Sequence, residues 1–186
     1  MNARNAAALL LVLAAACGSK DPVTYSAPVG ISLDARSGDV VGGTLEVDKN
    51  VTTESGNPYG AFTNDAVKAL GGNPSRIAVT SATLTLEPSS TNVVALQQVF
   101  TGTVQLAFQA NGSDNLYPAA SVVQPAGAGP VSMQVSFDSA AMTPADFQDL
   151  VGANFRVVLT GTPATGFASA GATARLEAML TFVAYP

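Results

Sequence analysis

From residue 29 onward, apolar residues recur with a period of two rather than 3.6, the spacing of strands that turn one face to a core and one to water. The clearest case is 131–137, where Val131, Met133, Val135 and Phe137 alternate with Ser132, Gln134 and Ser136. A longer stretch over 94–108 places Val94, Leu96, Phe100, Val104, Leu106 and Phe108 on one face. Gly102 within it predicts a bend or bulge. Further strands are expected at 29–33, 43–48, 76–86, 155–160 and 175–185. In 76–86 the apolar parity shifts, from Ile77 and Val79 to Ala82, Leu84 and Leu86, which a β-bulge near Ser81 would repair. The last strand has Leu176, Ala178, Leu180 and Phe182 on one side. Met179, Val183 and Tyr185 make its other side partly apolar, which fits a central place in the sheet.

Helices are few. Residues 61–70 predict one, stopped by Gly71-Gly72. A second begins at Thr143 as N-cap, with Pro144 at the first helical position and Asp146 in the first turn. It runs to Val151 and buries Phe147, Leu150 and Val151. Turn-forming runs such as Asn73-Pro74, Asn111-Gly112-Ser113-Asp114 and Ala126-Gly127-Ala128-Gly129-Pro130 punctuate the strands. The expected fold is all-β: an antiparallel β-sandwich with one or two short helices in the connections, a barrel being the alternative. Residues 29–186 make one domain, since no internal linker or fixed-period repeat interrupts them.

Composition narrows the chemistry. Of 186 residues, 47% are hydrophobic and only 11% charged, so a core can form without disulfides or metals and disorder is excluded for most of the domain. Net charge is -5 and the acids are scattered. No basic stripe exists for a phosphate backbone, so nucleic-acid partners are excluded.

The chain has a single cysteine, Cys17, and it follows a distinctive segment. Arg4 and the amino terminus supply positive charge, and Ala6 to Ala16 is unbroken apolar sequence, too short for a bilayer span of about 20 residues. Leu13-Ala14-Ala15-Ala16-Cys17 resembles the lipobox of bacterial lipoproteins, departing from its commonest form in having Ala14 rather than Leu three positions before the cysteine. The resemblance covers the signal region alone. It implies cleavage before Cys17, diacylglyceryl attachment to the Cys17 sulfur and acylation of the new amino terminus. On that reading 1–16 is a signal peptide and 17–28 a lipidated cysteine with a short tether. Gly18 is not the Asp that holds related lipoproteins at the inner membrane, so the outer membrane is expected.

Catalysis is poorly provided for. The chain has no histidine, hence no Ser-His-Asp triad and no imidazole base or metal ligand. Lys49 and Lys68 stand in no motif that would lower a lysine pKa. No enzyme activity and no cofactor are expected. Calcium needs only oxygen ligands, and Asp34, Asp39 and Asp48, with Asn111, Asp114 and Asn115, fall near predicted strand ends. Asp and Asn are equally ordinary turn residues that bond their own backbone. Tyr59 and Tyr117 lie in Pro-containing segments, as exposed binding aromatics or as plugs against the core. The expectation is a non-enzymatic envelope lipoprotein, held to the membrane by its N-terminal lipid and acting on a protein partner. The alternative is a small-ligand module for calcium, glycan or lipid.

Overall fold

The computed structural model describes residues 23–52 and 57–186. Nine strands run in chain order: β1 Tyr25–Arg36, β2 Val40–Val41, β3 Thr44–Val51, β4 Arg76–Leu86, β5 Phe100–Ala110, β6 Leu116–Val123, β7 Val131–Val135, β8 Phe155–Pro163 and β9 Thr173–Tyr185. They form one sheet in the order β1-β9-β4-β7-β6-β5-β8-β3-β2, and every neighbouring pair is antiparallel.

The sheet folds over on itself at β7. Val131, Ser132 and Met133 pair with Leu84, Thr83 and Ala82 of β4, while Gln134 and Val135 pair with Ser121 and Ala120 of β6. One strand thus serves both halves, and the two inner faces enclose a single apolar core. The architecture is an all-β antiparallel sandwich with a continuous strand ladder at one corner.

The period-two pattern is what fills that core. On β9, Ala174, Leu176, Ala178, Leu180, Phe182 and Ala184 all point inward and are fully buried. β9 lies between β1 and β4, but its second face remains partly open, with Met179 36% exposed. On β5 and β8 the inward residues include Val104, Leu106 and Phe108 of β5 and Phe155, Val157 and Leu159 of β8, with Leu106 beside Leu159 and Phe108 beside Val157. Gly161 continues the β8 row, and a Cβ there would come within 2.8 Å of the Phe100 ring. Glycine at that position is what leaves room for the Phe100 ring.

Both predicted irregularities are present. The β4–β9 register shifts between Val79 and Ser81, and the β5–β8 register shifts between Thr101 and Val104, where Gly102 has φ 72°. The left-handed φ explains the glycine.

Four expectations need correction. Residues 94–99 are not strand: Leu96–Gln98 is a single 3-10 turn, and Gln98 Oε1 accepts from the amides of Val94 at 2.7 Å and Ala95 at 3.2 Å. A side chain therefore takes donors that a strand would give to a neighbour. Val94 is 79% exposed as a result, although Leu96 is buried. The periodicity does not predict strand β6, because Pro118 interrupts it and its apolar parity breaks. The β5–β6 register shifts next to Pro118, so both Ala119 and Ala120 are buried. Residues 25–28, expected in the tether, belong to β1 and pair with Ala184 to Thr181. Pro28 is tolerated there because β1 is an edge strand. Finally, Phe147 and Val151 of the second helix are only half-buried.

Helix α1 spans Pro58–Leu70, three residues longer at its start than predicted. Asn57 is its N-cap, accepting from the Tyr59 amide at 2.9 Å, and Gly71 closes it in the left-handed region. Helix α2, Pro144–Val151, begins on Thr143 as expected, with Thr143 Oγ1 accepting from the Asp146 amide at 3.2 Å. Tyr59, Phe62 and Ala66 of α1 are buried at one end of the core, against Phe155 and Phe182. Leu150 anchors α2 elsewhere on it.

Candidate functional site

On the outer face of β3, β5 and β8 a group of polar residues surrounds Arg156 of β8. Its strand neighbours are Gln109 on β5 and Asn50 on β3. Arg156 Nε and Nη2 donate to Gln109 Oε1 at 2.9 and 2.6 Å, and Gln109 Nε2 donates onward to the Ser113 carbonyl at 2.7 Å. Asp48 Oδ2 lies 3.6 Å from Arg156 Nη1. The Asp48 and Arg156 side chains are both more than 40% exposed, so their ion pair contributes about 1 kcal/mol at most. Gln109, by contrast, is buried and bonded at both polar atoms of its side chain. These residues, with Asn50, Asn111, Gly112, Ser113 and Asp114, line an open hollow of about 400 Å³.

The calcium candidates are only partly brought together. Asp48, Asn111 and Asp114 share the hollow, but the Arg156 guanidinium holds the position beside Asp48 that a cation would need. Asp34 lies in a separate groove with Arg175 and Glu87. Asp39 accepts from the Arg36 amide at 2.8 Å and closes a local turn. Among the described residues no three carboxylate or sulfur groups converge as a metal site. Asn115 points the other way, into α2.

There it meets Asp146, a buried carboxylate at the start of α2. Tyr117 donates its hydroxyl to Asp146 Oδ2, and Asn115 Nδ2 donates to the same oxygen at 2.9 Å. The Tyr117 oxygen in turn accepts from the Thr143 amide at 3.3 Å. These bonds, the Tyr117 hydroxyl foremost, lower the Asp146 pKa to about 2, against the opposing effect of burial. The helix N-terminus also favours negative charge here. Asp146 is thus a fixed carboxylate, spent on joining the β5–β6 turn to α2 and unsuited to moving protons.

Tyr59 is a plug rather than a binding aromatic. It is fully buried, with ring centroids 4.8 Å from Phe155 and 5.0 Å from Phe182, both edge-to-face. Its hydroxyl has no partner among the described residues, and burial pushes its phenol far above the usual range. Tyr117 is half-buried and committed to Asp146. The fully buried Tyr59 ring has no free face for stacking a sugar.

One apolar depression of about 190 Å³ lies on the same outer face, lined by Ala107, Leu116, Pro118 and Val158 among others. Leu116 is 55% exposed and Val158 4%. Cys17 lies outside the described residues.

Sequence reasoning did not single out Arg156, Gln109 or the bonding of Asp146. Arg156 carries the one available signal, a cation at an outward position of an apolar strand. Its partners come from β5 and β3, far off in sequence, so strand order was needed to find them.

No protein-family model matches the chain, and no curated protein matches it. Among solved structures it is similar to a chain from the three-dimensional structure of Cocksfoot mottle virus, with TM-score 0.30 and 10% identity, covering 100% of this chain and 94% of that one. A likeness at that level says nothing about function.

Proposed function

We propose that the chain is the precursor of a bacterial envelope lipoprotein, anchored in the outer membrane through lipid on Cys17 and acting by protein contact rather than catalysis. The observation that carries this reading is the lone cysteine behind a short apolar run and three alanines. Each buried CH₂ contributes about 0.8 kcal/mol, so two or three acyl chains hold where one would not. With β1 starting at Tyr25, residues 17–24 reach at most about 28 Å from the lipid. A domain on so short a tether works beside the membrane, in envelope assembly, adhesion or surface structure.

A contact role is supported by the absence of histidine and by the hydrogen bonds that hold Asp146 as an anion. The test is the intact mass of the protein extracted from host membranes, beside Cys17→Ala. Cleavage before Cys17 plus acyl chains, lost in the variant, is the expected result. An unmodified chain in the soluble fraction would overturn the reading. If the anchor is present, crosslinking in intact cells should return a reproducible protein partner.

The second reading, a small-ligand module, has one observation in its favour: Asp48, Asn111 and Asp114 share a hollow. Its calcium form predicts a melting midpoint that rises with millimolar calcium. An unchanged midpoint removes it.

A further inference from the structure

The chain contains one Asn-Gly step, Asn111-Gly112, and the fold presents it at the corner of the β5–β6 turn. The Ser113 amide donates to the Ala110 carbonyl at 3.1 Å, which closes the turn around these two residues. Both are exposed, and Gly112 has φ 82°. A Cβ at Gly112 would meet nothing within 4 Å, so the space on that side of the residue is open. An amide nitrogen without a neighbouring Cβ is the least hindered nucleophile that a peptide backbone offers.

We propose that Asn111 is a site of spontaneous deamidation in the folded protein, with Asn154 controlling its rate. The Gly112 nitrogen attacks Asn111 Cγ. The N–Cγ bond forms, the Cγ–Nδ2 bond breaks, and Nδ2 leaves as ammonia with the proton from the Gly112 amide. Water then opens the five-membered succinimide at either carbonyl, giving aspartate or isoaspartate. The sequence is redox-neutral and consumes one water.

Asn154 restrains the first step. Asn111 Nδ2 donates to Asn154 Oδ1 at 2.8 Å, and the Asn111 amide donates to the Asn154 carbonyl at 3.1 Å. Asn154 is itself held by Asp149, to which its Nδ2 donates at 2.9 Å. The Asn111 side chain must leave this clasp before its carbonyl carbon can meet the Gly112 nitrogen. The bond is solvent-exposed, where water competes for both partners, so it slows the reaction without preventing it. Conversion removes the donor from the clasp and sets a carboxylate against the Asn154 oxygen. It also adds a negative charge to the hollow that already holds Asp48 and Asp114.

The test is to incubate the purified full chain in mildly alkaline buffer at body temperature and follow the peptide containing residue 111 by mass spectrometry. The expected result is a time-dependent mass gain of one deamidation at Asn111, with aspartate and isoaspartate forms separating on chromatography. The gain should vanish in Asn111→Gln, whose longer side chain closes the ring poorly, and accelerate several-fold in Asn154→Ala. A folded protein that shows no gain, while its urea-unfolded chain converts, overturns the proposal. An Asn154→Ala variant that stays folded and converts no faster overturns the controlling role of the clasp.

Discussion

Two tyrosines, each beside the start of a helix, are handled in opposite ways. Tyr59 enters the core on the first turn of α1, surrounded by Phe62, Phe155 and Phe182, and its hydroxyl meets no acceptor among the described residues. Tyr117 lies on β6 against the start of α2, where its hydroxyl donates to Asp146 and accepts from the Thr143 amide. The first region is held by area: a fully buried aromatic contributes roughly 1.5–3 kcal/mol, and edge-to-face pairs about 0.5–1.5 kcal/mol each. Against this stands an unsatisfied hydroxyl costing about 1–3 kcal/mol. The second region adds direction to packing: Leu150 is buried beneath α2, and a connected set of hydrogen bonds fixes Tyr117, Asp146 and Thr143. One end of the molecule therefore tolerates a polar defect because its packing exceeds the cost. At the other end the polar groups are satisfied by one another rather than offset by packing.

The sharpest way to break the comparison is to remove packing at the aromatic end. Phe182→Ala would leave a cavity bordered by Tyr59, Phe62 and Phe108. A loss of about 3–5 kcal/mol is expected in urea unfolding. At the polar end, Tyr117→Phe keeps the ring and deletes the bond to a carboxylate, and about 1–3 kcal/mol should be lost.

Acid separates the two ends further. Asp146 has its folded pKa lowered to about 2, below the usual value of about 3.9 for an unfolded Asp. Its contribution to stability is present above pH 4 and is lost as pH falls from about 4 to about 2. Asp146→Asn should flatten that part of the stability profile, and a profile parallel to the parent's would refute the assignment. The smallest effect is expected for Tyr59→Phe, which removes a hydroxyl with no partner among the described residues and keeps every ring contact. Stability should stay within about 0.5 kcal/mol of the parent or rise. A clear loss would reveal a partner for the Tyr59 hydroxyl and erase the contrast.

Most of the fold was legible along the chain, and the reason is local. Strands such as 131–135 and 176–184 bury alternate residues, and period two is visible in any window of six. The start of α2 was equally plain, because Thr143, Pro144 and Asp146 act within one turn. The bulges near Ser81 and Gly102 were readable as a parity slip and a glycine. Legibility failed where a side chain or a bulge replaced the repeat. Gln98 folds back on Val94 and Ala95, and Pro118 with two buried alanines hides β6 from any alternation test. The polar cluster failed for a different reason. Arg156 reaches Gln109 across 47 positions and Tyr117 reaches Asp146 across 29, and nothing local marks such partners.

The sequence by itself determined that this is a β protein with two short capped helices. It also determined that imidazole chemistry is absent and that its only thiol stands at Cys17, because those facts follow from residue type and near-neighbour spacing. Tertiary structure alone decided that β7 would join two half-sheets. It also decided that Asp48 would face an arginine rather than a fellow carboxylate, that Asp146 would be held as an anion, and that Asn111 would be clasped by Asn154. Each of those depends on which distant strands become neighbours, a choice made by burial of the whole core and not by any segment within it.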